Sequence, residues 1–364
     1  MTRLRIAVVG VGHLGKEHAR ILSGLPDAEL VGVADVNPDQ AQSVARRVGC
    51  KGFPNYRPLL HLADAAVIAV PSSYHHQIAS EFLHCGISVL VEKPLASTLE
   101  EADELVDLSR RHRALLQVGH IERFNPAVER LQQQRMQPKY VESSRLGQFT
   151  GRSTDIGVVL DLMIHDIDIL LALAQSPVKS VEAIGVSVFG GQEDIANARL
   201  TFANGCVANL SASRASYATD RRMHIWSPEG FANIDFAKRS LTFVQPSDFV
   251  RRNGLDMRKL DGPSRAMLKD DLFGRHLETL HLDCNNGSDQ LTRELQHFIG
   301  CVRTGSQPRV SGEDGRDAIE VASQIIDCIQ RHEWNGTADG PVGPSQLPRP
   351  IGKFFHPMAG EAAA

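Results

Sequence analysis

Short apolar segments alternate with helical patterns along roughly the first 120 residues of the chain. Apolar segments separated by helices are typical of a parallel sheet that is covered on both faces. The pattern therefore predicts an α/β fold that begins with a doubly wound parallel sheet. The predicted strands are Arg5–Gly10, Glu29–Asp35, Ala65–Pro71, Ile87–Glu92 and Leu115–His120. The predicted helices are 14–24, Asp39–Val48, Tyr74–His84 and Leu99–His112.

The pattern changes after about residue 125. A long apolar helix is predicted over Gly157–Ala174, and strand-like segments with turn signals between them then follow one another. This succession predicts a C-terminal α+β domain with an open, mostly antiparallel sheet. Two late helices, Leu291–Arg303 and Gly315–Arg331, are expected to pack back on the first domain, while 246–290 shows no assignable pattern. The predicted strands are Val178–Phe189, Ile195–Phe202, Val207–Ser213, Arg222–Ser227, Gly230–Asp235 and Ser240–Gln245.

The length of 364 residues and the ordinary globular composition favour two domains. We predict one domain over 1–122, a second over 123–335, and an extended or poorly ordered tail over 336–364. A net charge of −4 does not indicate binding to nucleic acid or to an anionic membrane. No apolar run approaches the roughly 18–20 residues that span a bilayer. Six scattered cysteines without a CxxC pair indicate reduced thiols and a cytoplasmic protein, rather than disulfides or a zinc site.

A glycine-rich turn, GVGHLG (10–15), lies between the first predicted strand and the first predicted helix. In this GxGxxG pattern the first glycine allows a tight turn, the second lets a pyrophosphate approach, and the third lets helix and strand pack closely. Asp35 ends the second strand, where a carboxylate accepts hydrogen bonds from ribose hydroxyls and repels a 2′-phosphate. The sequence therefore predicts a Rossmann domain that binds NAD rather than NADP. The expected contacts are Gly10, Gly12, His13, Leu14, Gly15 and Asp35. The alternatives are a purely structural turn and a carboxylate that only caps the strand.

Lys93 follows the fourth predicted strand, within Glu92-Lys93-Pro94. Ligands of an open parallel sheet bind at the carboxyl ends of its strands. Proline restricts the residue before it to extended conformations, so the lysine is expected to point into the cleft. We therefore predict that Lys93 bridges the cofactor ribose and a substrate hydroxyl and takes part in proton transfer. The alternative is an ordinary solvated lysine at a strand end.

Three ionisable residues fall on one face of the apolar helix over Gly157–Ala174. Asp161, His165 and Asp168 are spaced i, i+4 and i+7, whereas Asp166 faces another way. Burying such groups is costly unless they pair or face a polar cavity. We predict that Asp161 orients His165, which acts as a general base for a hydroxyl proton. The alternatives are a network that only fixes the helix, and a metal site, which a single histidine at helical spacing disfavours.

Taken together, the motifs resemble the Gfo/Idh/MocA oxidoreductase family over roughly residues 4–335. The similar segments are GVGHLGKEHAR (10–20), AVPSSYHHQIA (69–79), EKP (92–94) and DLMIHDIDIL (161–170). The resemblance implies hydride transfer from a sugar or polyol hydroxyl to NAD, with Lys93, Asp161 and His165 as the catalytic set. It also implies that the second sheet binds substrate and joins subunits into a homodimer or homotetramer. The cofactor contacts that it adds are Pro71, His75, Glu92 and Lys93.

The segment VGHIERFNPAV (118–128) resembles a subgroup of that family that oxidises UDP-N-acetylglucosamine at C3 for lipid A or surface-polysaccharide synthesis. Under this hypothesis His165 contacts the sugar, and Arg145 and Arg152 hold the diphosphate as forked donors. The further substrate contacts expected are Glu122, Arg123 and Asn125. The alternatives are solvated arginines, an inositol or free-monosaccharide dehydrogenase of the same family, and a non-catalytic NAD-binding regulator.

Overall fold

The computed structural model describes residues 3–134, 136–151, 156–285, 287, 289–336 and 340–346. Its first sheet contains six parallel strands in the order β3-β2-β1-β4-β5-β6, with the switch point between β1 and β4. These strands are β1 (Leu4–Val9), β2 (Ala28–Ala34), β3 (Lys51–Phe53), β4 (Ala65–Ile68), β5 (Ser88–Glu92) and β6 (Leu116–Gly119). The helices between them are α1 (Gly15–Gly24), α2 (Pro38–Val48), α3 (His75–His84) and α4 (Leu99–His112). The predicted doubly wound sheet is confirmed, and only β3 was not predicted, because it is too short to show a pattern.

Helices cover both faces of the first sheet, as its fully apolar strands require. Helices α3 and α4 pack on one face, together with the late helix α10 (Gly312–Gln330). Helix α1 packs on the other face beside the late helix α9 (Gln290–Thr304), which contributes Leu295 and Phe298 to the core. Both late helices thus contribute to the layers that cover the first sheet.

The second sheet contains eight strands in the order β14-β13-β12-β11-β7-β10-β9-β8. Only the pairing of β7 with β10 is parallel. The predicted mostly antiparallel sheet is therefore confirmed. Its strands are β7 (Tyr140–Leu146), β8 (Val178–Val186), β9 (Ile195–Phe202), β10 (Val207–Ser213), β11 (Asp220–Ser227), β12 (Gly230–Asp235), β13 (Ser240–Pro246) and β14 (Leu277–Asp283).

Two strands of this sheet, β7 and β14, were not predicted from the sequence. β7 lies in the middle of the sheet, yet its inward-facing positions include Ser143 and Arg145, so the expected apolar alternation is absent. β14 is an edge strand whose residues are mostly exposed, so it carries little apolar signal. The unassigned region between β13 and β14 holds two short helices, α7 (Asp248–Asn253) and α8 (Gly262–Asp271).

The predicted helix over Gly157–Ala174 is not a single α-helix. It begins with a π-helical turn at Val159–Met163 and continues as α6 (Ile164–Ala174). A π turn holds more residues than an α turn, so it changes which side chains face each other across the first turn. The short helix α5 (Pro126–Gln132) leads from the first sheet towards β7.

The described part of the tail runs along the edge of the second sheet. Val342 forms a bridge with Glu333, and the carbonyl oxygen of Pro344 accepts a hydrogen bond from the backbone of Ser187. The rest of the predicted extended tail, 337–339 and 347–364, lies outside the described residues. Among the described helices, none combines the length and apolarity that a bilayer crossing needs.

Candidate active site

Gly10 and Gly15 keep the turn after β1 tight. Gly10 has φ +81°, and a Cβ there would lie 2.6 Å from the carbonyl oxygen of Ala69. A Cβ at Gly15 would lie 1.8 Å from the carbonyl oxygen of Gly10, so neither position accepts a side chain. Gly12 differs, because a Cβ there would meet no atom within 4 Å. Its backbone borders open space at the N-terminus of α1, which is the position and polarity that a pyrophosphate requires.

Asp35 directly follows β2 and faces this loop. Its Oδ2 accepts the backbone N–H of Val11 at 2.9 Å, and its Oδ1 accepts that of Asn37 at 2.9 Å. Each carboxylate oxygen retains a lone pair for a further donor, and the residue is only partly buried. An adenosine ribose at the loop would find an acceptor here, whereas a 2′-phosphate would meet a negative charge. The residues present therefore fit NAD.

The remaining predicted cofactor contacts divide into exposed and buried positions. His75 is buried, and its ring nitrogens lie 2.7 Å from the carbonyl oxygen of Pro94 and 2.9 Å from that of Val70. It therefore ties the loop after β4 to the loop after β5, and burial lowers its pKa. The exposed positions are His13, Leu14 and Pro71.

Lys93 reaches from the end of β5 to the π-helical turn at Val159–Met163 that precedes α6. Its Nζ donates to the backbone carbonyl of Asp161 at 2.5 Å and lies 3.0 Å from Asp161 Oδ1. The two side chains keep 14% and 21% of their surface exposed, so the pair borders the cleft rather than the core. This contact links the end of the first sheet to the π-helical turn and brings together two of the three residues that were predicted to be catalytic.

His165 lies one turn after Asp161 and is partly exposed. Burial holds the pKa of His165 well below its usual value, and the positive charges of Lys93 and Arg145 lower it further. The imidazole is therefore neutral at neutral pH, which is the form that accepts a hydroxyl proton.

The predicted pairing of Asp161 with His165 is corrected by the structure. The Asp161 carboxylate is engaged by Lys93, and no hydrogen bond joins it to His165 among the described contacts. The reason is the π-helical turn at Val159–Met163, which alters the i, i+4 register that an α-helix would give. Asp161 therefore holds the lysine, and the imidazole needs another partner.

Glu92 is the last residue of β5 and is buried. His18 Nε2 lies 2.6 Å from Glu92 Oε1. Burial raises the pKa of Glu92, but the hydrogen bond and charge of His18, together with the charges of Lys93 and His75, outweigh burial and hold the pKa below its usual value. Glu294 of α9 lies nearby, where burial and the charge of Glu92 raise the pKa of Glu294 well above its usual value. Glu92 therefore links the end of β5 to α1, and its predicted contact with the cofactor stays a prediction.

Arg145 is buried and fully engaged by two carboxylates. It donates to both oxygens of Asp166, at 2.8 and 3.1 Å, and to Glu122 Oε1 at 2.9 Å. All three nitrogens of the guanidinium are thus used, so a role in holding a diphosphate does not suit Arg145. Asn125 donates to the second oxygen of Glu122 at 3.0 Å and caps α5. These residues, predicted to line the substrate site, form an internal network that fixes α6 against β7.

Arg123 and Asp168 also point into the interior. Their side chains lie 3.6 Å apart and are almost completely buried. Burial raises the pKa of Asp168 to about 7, against the opposite effect of Arg123. The predicted stripe of three ionisable groups therefore divides, since Asp161 and His165 reach the cleft and Asp168 does not. Arg152, the other predicted diphosphate contact, lies outside the described residues.

The sequence analysis assigned no role to several polar residues around this site. His18 lies one helical turn into α1, and Asp166 lies beside His165 in α6. His120 follows β6 at the carboxyl edge of the sheet, and its ring centroid lies 6.1 Å from that of His165. Only its position at a strand end was a signal, and a lone histidine after an apolar strand is more often a core residue.

A pyrophosphate loop at the switch point, beside a lysine and a neutral histidine that can exchange a proton, suits hydride transfer between a hydroxyl and a dinucleotide. The fold and the site thus define a dinucleotide-dependent oxidoreductase. Residues 4–120 match an oxidoreductase family model with an NAD-binding Rossmann fold, and residues 111–232 match the GFO/IDH/MocA C-terminal domain. The chain belongs to the Gfo/Idh/MocA oxidoreductase family.

Similar proteins agree over nearly the whole chain. UDP-N-acetylglucosamine 3-dehydrogenase of Acidithiobacillus ferrooxidans is 39% identical over 91% of this chain and 98% of its own length. A solved structure of that enzyme superposes with a TM-score of 0.79, covering 90% of this chain and 98% of that one at 32% identity. The scyllo-inositol 2-dehydrogenase (NAD(+)) of Bacillus subtilis is 27% identical over 88% of this chain and 92% of its own length. The predicted family, enzyme class and NAD cofactor are confirmed.

Proposed function

We propose that this enzyme oxidises the 3-hydroxyl of UDP-N-acetylglucosamine to a ketone with NAD⁺. The observation that carries the proposal is the contact of Lys93 Nζ with Asp161 beside the neutral His165. The 39% identical relative that bears this activity in its name supports the choice of substrate. A product of this kind is a 3-keto nucleotide sugar, which we place in lipid A or surface-polysaccharide synthesis.

The proposed proton transfer uses the chain's own groups. Lys93, held by Asp161, donates a hydrogen bond to the reacting hydroxyl oxygen and fixes its position. His165 accepts the hydroxyl proton as the carbon loses its hydride. The bound nicotinamide supplies the hydride acceptor. Positive charge from Lys93 stabilises the alkoxide character that develops on the oxygen.

Arg221 is our candidate for the diphosphate contact in place of Arg145. It lies directly opposite Arg145 in the pairing of β11 with β7, so both side chains leave the same face of the sheet. Arg221 is exposed, and its strand partner Arg145 contacts Asp166 of α6, the residue next to His165. No ion pair engages it among the described side chains. An exposed guanidinium is suited to bind a diphosphate with two donors.

The test is a substrate panel. Purified enzyme with NAD⁺ is offered UDP-N-acetylglucosamine, UDP-glucose, myo-inositol and glucose 6-phosphate, while NADH is followed at 340 nm and products by mass. We expect turnover of UDP-N-acetylglucosamine with a product about two daltons lighter. Turnover of inositol without turnover of any UDP-sugar would instead favour an inositol dehydrogenase. Binding of NADH without turnover of any of them would favour the regulator.

We also propose an oligomeric state and a cellular location for the protein. The face of the second sheet turned away from α6 is a polar hollow of about 800 Å³ that includes Glu142, Arg199 and Arg222. We propose that copies of the chain associate through this face as a homodimer or homotetramer in the cytoplasm. Light scattering on the intact protein tests the assembly, because a particle near the chain mass of 39.8 kDa would contradict it.

A further inference from the structure

His120 is a buried imidazole whose polar atoms have no partner. The residue follows β6 and is 1% exposed. Both ring nitrogens are buried without a hydrogen bond to any described group. Buried polar atoms are nearly always hydrogen-bonded, so an isolated imidazole in this position calls for an explanation.

The nearest aromatic neighbour of His120 is the proposed general base. The ring centroids of His120 and His165 lie 6.1 Å apart at an interplanar angle of 86°. Nδ1 of His165 is also buried without a partner, although the His165 ring is partly exposed. Two neighbouring imidazoles therefore each bury at least one nitrogen that has no hydrogen-bond partner among the described groups.

The charges around the pair keep both rings neutral. Burial, with the positive charges of Arg123 and Lys93, lowers the pKa of His120 to about 3. His165 is held neutral by burial and by the positive charges of Lys93, Arg145 and Arg221. A neutral imidazole has one N–H and one acceptor nitrogen, so each ring can accept one hydrogen bond and donate one.

The chemistry of His165 requires a defined tautomer. Since Nδ1 is its buried nitrogen, Nε2 is the nitrogen that the cleft reaches. Nε2 accepts a hydroxyl proton only when the ring proton is on Nδ1, and this tautomer is selected by a hydrogen-bond acceptor at Nδ1. Asp161 does not supply that acceptor, because its carboxylate is bound to Lys93.

We propose that His120 is a positioning residue that accepts the Nδ1–H of His165 through one bridging water. A direct N–H···N bond of about 3 Å would bring the ring centroids closer together than 6.1 Å, so a single water suits the spacing. The water would also satisfy a buried nitrogen on each ring. The inference rests on the proposed function only in taking His165 as the base.

The test measures the tautomer of His165 directly. Uniformly ¹⁵N-labelled enzyme with bound NADH is examined by long-range ¹H–¹⁵N correlation of the histidine rings, and His165 is assigned by the loss of its signals in His165→Asn. We expect the Nδ1–H form in the wild type and in His120→Gln, whose side-chain oxygen can still accept. In His120→Phe we expect a shift to the Nε2–H form or to a mixture. An unchanged Nδ1–H form in His120→Phe would overturn the proposal.

Kinetics give a second readout. We expect kcat for His120→Phe to fall about tenfold to a hundredfold, with KM nearly unchanged, and most of the loss to be recovered in His120→Gln. Equal rates in His120→Phe and wild type would contradict the role. An inactive wild-type enzyme would refute the proposed function. The NMR measurement needs no sugar substrate, so the tautomer of His165 can be determined even in that case. If His120→Phe does not fold, His120→Leu replaces it.

Discussion

Lys93 Nζ donates to the backbone carbonyl of Asp161 at 2.5 Å and lies 3.0 Å from its carboxylate. The lysine belongs to the end of the first sheet and the aspartate to the helix that packs on the second. One ion pair thus spans the cleft in which we propose that a dinucleotide and its substrate meet. Because the carboxylate holds the lysine in place, the hydroxyl of a bound sugar meets a cation whose position is already fixed.

Removing the ammonium group of Lys93 should abolish most of the activity. We expect Lys93→Met to lower kcat by about 10²- to 10⁴-fold, because the variant loses the group that binds the reacting oxygen. NADH binding is followed by fluorescence in parallel, so that the rates are compared at saturating cofactor. The matched control is Lys238→Met, whose side chain is 74% exposed. A rate for Lys93→Met within threefold of the control would show that Lys93 has no catalytic role.

Arg145 is expected to act in stability rather than in substrate binding. Arg145→Met leaves Asp166 and Glu122 buried without their cation, which costs about 3–5 kcal/mol of unfolding free energy. Denaturant titration at pH 7.5 measures this loss. The control Arg252→Met removes a side chain that is 80% exposed and should change stability by less than about 0.5 kcal/mol. Equal stability of the two variants would contradict the internal role.

Arg221 is expected to determine the affinity for the nucleotide sugar. Arg221→Met should raise KM for UDP-N-acetylglucosamine about tenfold to a hundredfold, as expected for the loss of charge-assisted hydrogen bonds to a phosphate. Arg252 of α7 gives the control, since its side chain is 80% exposed and lies outside the second sheet. We expect Arg252→Met to leave KM unchanged. If both variants keep the wild-type KM, Arg221 does not bind the diphosphate.

The buried imidazole of His120 should make the protein less stable in acid. In the unfolded chain this histidine takes up a proton as the pH falls below about 6.5, whereas burial keeps it neutral in the folded protein down to about pH 3. Because the unfolded state then binds more protons, this contribution to stability falls as the pH decreases through that range.

This effect is measured as a difference between two proteins. Between pH 7.5 and pH 5, His120 should cost the wild type about 2 kcal/mol of unfolding free energy. His120→Phe lacks this cost, so its stability relative to the wild type should improve by that amount at pH 5. The raised pKa of Asp168 changes the unfolding free energy with pH in the opposite direction. Asp168 is present in both proteins, so its effect cancels in the difference between them. A constant difference across the pH range would contradict the buried, neutral state of His120.

Local rules explain what the sequence predicted well. The parallel strands of the first sheet are apolar on both faces, and Gly10 and Gly15 stand where any side chain would collide with the backbone. Asp35 and Lys93 follow strand ends, where an open sheet binds its ligands. These positions need only the strand, the turn and the next helix to be recognised.

The remaining features depend on contacts between residues far apart in the chain. Arg145 has the sequence context of a loop arginine, and only the folded structure brings it to Asp166 and Glu122. β7 was missed for the same reason, since this buried arginine interrupts its apolar alternation. The partner of Asp161 was mistaken because the π-helical turn is not encoded by a recognisable spacing.

The most direct test of the central claim follows the hydrogen atom itself. UDP-N-acetylglucosamine carrying deuterium at C3 is turned over with NAD⁺, and the reduced cofactor is analysed by mass. If Lys93, Asp161 and His165 surround this carbon as proposed, the NADH formed should be about one dalton heavier and the product should have lost the label. Unlabelled NADH, or no NADH at all, would contradict the account.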